Sequence, residues 1–188
     1  MCRMAAFSLK KVEDISWVIE YVKQMARFGK KGPHCDGWGY VLLNTNKKVE
    51  YKSISPAYDD NKSPNLNDEK FEMGIVHARL ASDGLDKTRL QLHPFYKDGK
   101  YFAHNGTIIT ANRQNPYDSD TYDFFKHVAS FDNFGHIVKL VREYGEENEF
   151  SGMNFLMIDD LTDELYVGCY YTPGQDRKIA HATLALGR

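Results

Sequence analysis

The sequence predicts an α+β fold of the layered-sandwich type. β-rich runs cluster at both ends of the 188-residue chain, and the helical segments are grouped between them. Strands and helices do not alternate one for one, as a doubly wound parallel sheet requires. Hydrophobic residues make up 42% and charged residues 27%, a balance that folds rather than stays disordered. At ~100–200 residues per domain, one domain over 1–188 is expected.

Residues 2–8 read as a strand. Lys11 to Phe28 carries Ile15, Val18, Ile19, Val22, Met25 and Ala26 at helical spacing, and Gly29 stands where the helix stops. Gly37 to Leu43 and Val49 to Ile54 are β-rich runs joined by Asn44-Thr45-Asn46-Lys47, a hairpin pattern. Ser55 to Glu69 is polar and proline-containing, and reads as a surface loop. Phe71 to Arg79 and Lys100 to His104 are expected strands, and Asp120 to Phe131 and Phe134 to Tyr144 expected helices. Asn154 to Asp159, Glu164 to Tyr171 and Ile179 to Leu186 complete the set as strands.

Charge and cysteine usage exclude several classes. A net charge of −2 leaves no basic excess to neutralise phosphates, which argues against a nucleic-acid binder. No run approaches the ~18–20 apolar residues of a membrane span. The N-terminus, MCRMAAFSLKK, lacks the order of a signal peptide. Three cysteines do not make a disulfide framework, and the cytosol is the expected compartment.

The residues that could carry chemistry begin with Cys2. Removal of Met1 requires a small second residue, and cysteine qualifies. A terminal cysteine then holds a thiol and an α-amine that titrates near ~7.7–8.0, a base on the same residue. Alone, position 2 reads as an ordinary strand cysteine. His104-Asn105-Gly106 closes an apolar strand, where an Asn amide beside a Gly N–H supplies two donors for an oxyanion. Alone, Asn-Gly reads as a hairpin turn. Arg79, ending the run Val76-His77-Ala78, can grip a carboxylate by a two-pronged hydrogen bond, or it can simply snorkel past the strand end. Asp118-Ser119-Asp120-Thr121 opens a helix, and either Asp or the Ser suits its cap. His34 and Cys35 are adjacent and cannot easily share one tetrahedral ion, and no spaced ligand pairs occur, so no metal is expected.

Taken together and in order, these motifs form one pattern. Cys2-Arg3, Asp36-Gly37-Trp38-Gly39, His77-Ala78-Arg79 with Ser82 and Gly84, His93-Pro94-Phe95, Ala103-His104-Asn105-Gly106 and Asp118-Ser119-Asp120-Thr121 resemble the class II glutamine amidotransferases. These are the glutaminase branch of the N-terminal nucleophile hydrolases, and the resemblance is to small stand-alone members beginning Met-Cys-Arg. It spans residues 2 to about 125 by motif.

The resemblance implies a four-layer α-β-β-α sandwich with Cys2 starting a central strand. It implies that Cys2 is the nucleophile, with Asn105 and Gly106 forming the oxyanion hole. Arg79 is then expected to grip the α-carboxylate of glutamine and Asp120 to read its α-ammonium. Ser82 and His104 complete the expected substrate-binding set. The implied reaction runs through a γ-glutamyl thioester and needs no metal or organic cofactor. Ala6 stands where relatives commonly have glycine, a change that should tighten packing. His34 and Cys35 match no family position and receive no role. No synthetase or transferase domain follows by Arg188, so either a separate subunit accepts the ammonia or the enzyme releases it. A γ-glutamyl amide hydrolase acting on a small metabolite or peptide shares every residue named. A glutamine-binding domain without turnover is the remaining alternative.

Overall fold

Alternation along the strands builds the architecture. The computed structural model describes residues 2–29, 32–66, 68–81, 88–109 and 114–170; the expected strand over Ile179 to Leu186 lies outside them. One antiparallel sheet holds β1 (Arg3–Asp14), β2 (Trp38–Asn44), β3 (Lys47–Ser53) and β4 (Lys70–Ala78), in the order β1-β4-β2-β3. The second holds β5 (Phe95–Lys97), β6 (Lys100–Asn105), β7 (Asn154–Asp159) and β8 (Glu164–Gly168) in sequence order, also antiparallel. The helices are α1 (Ser16–Phe28), α2 (Asp120–Val128) and α3 (Phe134–Glu147).

Successive strand side chains point to opposite faces, so each sheet separates two cores. On the first sheet, Phe7, Trp38, Tyr40, Leu42 and Val76 pack beneath Val18, Ile19, Val22 and Ala26 of α1. On the second, Phe102, Phe155, Met157 and Tyr166 pack against Phe124, Phe125, Ile137 and Leu140 of α2 and α3. The remaining faces meet each other: Val41, Leu43, Met73 and Ile75 lie against Tyr101, Ala103, Leu156 and Ile158. The layers therefore run helix, sheet, sheet, helices, the four-layer sandwich that the sequence resemblance implied.

The fold departs from the sequence expectation in several places. Lys11 to Asp14 continue β1 instead of opening the helix, because Glu13 and Asp14 pair with Phe71 and Lys70 across a register shift. The helix starts only where its apolar spacing begins, with the Asp14 carboxylate accepting from the Ser16 N–H at 2.8 Å. Among the described residues β1 stands at the end of its sheet's strand order rather than at its centre, consistent with its exposed charged second half. β5 was not anticipated. Its signal is Asp98-Gly99, both with positive φ (50° and 78°), the two-residue turn that joins β5 to β6.

Register brings the ends of several strands together. Arg3 pairs with Ala78, so Cys2 comes opposite Arg79 one step further on. Trp38 flanks Ala78 on the other side, and the Arg79 N–H donates to the Gly37 carbonyl at 2.8 Å. Asn105 pairs with Asn154 where β6 ends and β7 begins. The start of β1, the end of β4 and the end of β6 thus share one end of the sandwich.

Candidate active site

At that end a cavity of about 50 Å³ is lined by residues including Cys2, Arg79, Gln91, His104, Gly106 and Asp120. The backbone nitrogen of Cys2 donates to Asn105 Oδ1 at 2.9 Å. With Met1 in place this is a peptide N–H; once Met1 is removed the same atom is the α-amine. Because Oδ1 takes that hydrogen bond, the Asn105 amide presents Nδ2 as its remaining donor. The Cys2 thiol lies 3.8 Å from the Leu80 carbonyl, and Arg3 Nη1 donates to the Cys2 carbonyl at 3.3 Å. Burial pushes the thiol pKa up, while the Leu80 contact and the Arg79 charge pull it partly back. A thiol held above its ordinary range is a poor nucleophile unless a base assists it.

Gly106 lacks the positive φ that a two-residue Asn-Gly hairpin turn requires. A Cβ built on it would lie 1.8 Å from the Gly152 carbonyl oxygen. Only glycine lets the chain after β6 pass this close to the start of the β7 segment. His104 braces the same junction. Its Nε2–H donates to the Gly152 carbonyl at 3.0 Å, and its Nδ1 accepts from the Thr121 hydroxyl at 2.8 Å. Both ring nitrogens are therefore engaged inside the protein, so His104 contributes to the cavity wall rather than offering a polar atom. Burial lowers its pKa, opposed by the nearby Asp120 charge.

Arg79 is buried at the cavity edge, with 6% of its surface exposed. Its Nη2 donates to Gln91 Oε1 at 2.7 Å, whereas Nη1 is buried with no hydrogen-bond partner among the described residues. A guanidinium N–H left unpaired in a buried site costs stability unless a ligand completes it. Asp120 sits on the first turn of α2, capped by the Ser119 hydroxyl, which accepts from the Tyr122 N–H. Its carboxylate accepts from the Ile108 N–H at 2.8 Å and the Thr121 N–H at 2.9 Å, leaving lone pairs for a cation.

The sequence reading assigned no role to two residues that hold this arrangement. Asp36 Oδ2 accepts from the Ala81 N–H at 2.8 Å and so fixes the segment following Arg79. Gln91, in a single 3₁₀ turn over Arg89–Gln91, links Arg79 to the Asp118 carbonyl, to which its Nε2 donates at 3.2 Å. Ser82 lies outside the described residues. His34 Nδ1 lies 3.2 Å from the Gly32 carbonyl, and the exposed Cys35 contacts Asp36.

Two antiparallel sheets packed face to face between helices, with a cysteine at the head of a strand, define the amidotransferase type of N-terminal nucleophile hydrolase fold. Glutamine phosphoribosylpyrophosphate (PRPP) amidotransferase from B. subtilis, complexed with ADP and GMP, shares it with a TM-score of 0.60. That match is 15% identical and covers 90% of this chain and 37% of that one. A structure described as the allosteric regulatory enzyme of purine biosynthesis matches with a TM-score of 0.57, 15% identity and the same coverages of 90% and 37%. The chain thus spans little more than a third of the length of these relatives. No curated protein matches the sequence. The family described as glutamine amidotransferases, class II, matches residues 1–167, and the chain belongs to it.

Proposed function

We propose that the protein hydrolyses the side-chain amide of glutamine through a Cys2 γ-glutamyl thioester, with Met1 removed on maturation. The observation that carries this reading is Arg79, whose buried Nη1 has no partner among the described residues, lining the same cavity as Cys2 and Asp120. A cation and an anion beside a thiol complement the α-carboxylate and α-ammonium of a free amino acid. A cleft for an internal peptide residue would need neither.

The α-amine takes the thiol proton, and the thiolate sulfur attacks the amide carbon. The resulting oxyanion is held by Asn105 Nδ2 and the Gly106 N–H. Collapse of the tetrahedral intermediate breaks the C–N bond, and the α-ammonium gives its proton to the departing ammonia. A water deprotonated by the same amine then attacks the thioester and releases glutamate. Ser82 is assigned to the glutamine pocket and His104 to its bracing. The ammonia passes to an acceptor on a separate subunit or is released. No helix among the described residues is long and apolar enough to cross a membrane.

The test is ammonia release from L-glutamine by protein whose N-terminal residue is confirmed as Cys2. Turnover that is lost in Cys2→Ala is the expected result. Turnover of γ-glutamyl compounds but not of glutamine would shift the assignment to a γ-glutamyl amide hydrolase.

A further inference from the structure

We infer that Gln91 is a specificity-determining residue that keeps Arg79 uncompensated for the ligand's carboxylate; this rests on the glutaminase reading above. Gln91 is buried, lines the cavity and takes Arg79 Nη2 at 2.7 Å through a neutral oxygen. Its own amide is anchored on the Asp118 carbonyl at 3.2 Å, which fixes which end of the side chain faces the guanidinium. A carbonyl only accepts and a guanidinium only donates, so the amide nitrogen faces Asp118 and the oxygen faces Arg79.

Two consequences follow from the chemistry of that oxygen. One is aim. With Nη2 pinned, the planar fork of this cavity-lining residue is held with Nη1 buried and, among the described residues, unpartnered. The other is charge. Among the described residues Arg79 forms no ion pair, so its full positive charge is available to a ligand. A glutamate at position 91 would have the same shape and the same contact but would neutralise the fork from within. Position 91 therefore sets whether the site demands an α-carboxylate. Through Asp118, the same residue ties the carboxylate grip to the loop that leads into Asp120, coupling the two halves of amino-acid recognition.

The experiment compares wild type, Gln91→Glu and Gln91→Met on L-glutamine and on L-glutaminamide, which keeps the side-chain amide but has no α-carboxylate. Losing one charge-assisted contact corresponds to ~10–100-fold, so Gln91→Glu should raise KM for glutamine by that factor with a much smaller change in kcat. KM for glutaminamide should stay put or fall. Calorimetric Kd for L-glutamate, which binds without being turned over, should weaken in step with KM for glutamine. Gln91→Met brings no charge but frees Nη2, and should raise KM for glutamine while sparing glutaminamide. It serves as the variant of record if Gln91→Glu fails to give a cooperative thermal melt. Equal losses on both substrates, or a glutamine KM and glutamate Kd that do not move, would overturn the inference. Absence of glutamine turnover in wild type would instead count against the glutaminase reading, and the glutamate titration would still decide the role of Gln91.

Discussion

The Cys2 nitrogen and Asn105 Oδ1, 103 positions apart in sequence, lie 2.9 Å from one another and set the orientation of the Asn105 amide. In the proposed mechanism the bond does two things at once: it places the base beside the thiol and leaves Nδ2 as the amide's donor for the oxyanion. Asn105→Ala removes both. Turnover is expected to fall by ~100–1,000-fold, the usual loss for one oxyanion donor, with KM changing far less. A steady-state comparison on glutamine checks this, and an unaltered kcat would leave Asn105 as a strand-end residue.

Gly106 tests the close approach behind that amide. Its built Cβ lies 1.8 Å from the Gly152 carbonyl oxygen, a backbone atom that cannot swing aside as a side chain can. Gly106→Ala should destabilise the fold by about 1–3 kcal/mol, the range for a forced overlap in a packed site. It should also cost turnover, because the shifted segment carries the N–H proposed as the second oxyanion donor. Chemical denaturation and a glutamine assay on the same preparation measure the two effects.

Reaction rate should rise with pH across the range in which the α-amine loses its proton, near ~7.7–8.0. Burial holds the Cys2 thiol protonated, so the amine must be neutral to act as base. The rate of alkylation by a glutamine-like diazo-ketone, followed from pH 6 to 9, reports this directly. Rates that are flat or fall with rising pH would contradict amine-assisted activation.

Stability has its own pH dependence. A carbonyl only accepts, so His77 Nε2 carries the hydrogen that it shares between the His104 carbonyl at 3.2 Å and His93 Nδ1 at 2.9 Å. Burial holds His77 down to about 3 and His93 well below its ordinary range. Their facing groups are His104 and, further out, Arg79, His34 and Lys52. As pH falls below ~6.5 the unfolded chain takes up protons that the folded one refuses, so stability drops. For His77 alone the slope is ~1.4 kcal/mol per pH unit down to about 3. Urea midpoints measured from pH 7.5 to 5 should therefore fall steadily below 6.5, and a constant midpoint would show that these rings are charged in the fold.

Much of this was legible in the sequence because periodicity and glycine placement are local signals. The apolar spacing from Ile15 fixed α1, and the order of the motifs from Cys2 to Thr121 pointed to the family. What failed to read was non-local. Lys11 to Asp14 are strand only because Phe71 and Lys70 lie beside them. Asn105-Gly106 and Asp98-Gly99 look alike as dipeptides, yet one closes against Gly152 and the other makes a hairpin. Gln91 carried no signal, since its partners Arg79 and Asp118 are brought to it by the fold.

The most direct test of the central claim is the intact mass of the purified protein before and after treatment with a glutamine-mimicking diazo-ketone. Loss of Met1 and a single adduct mapped to Cys2, blocked by excess glutamine, is the result this account predicts. A processed N-terminus that takes no adduct, or an adduct on Cys35 or Cys169 instead, would contradict it.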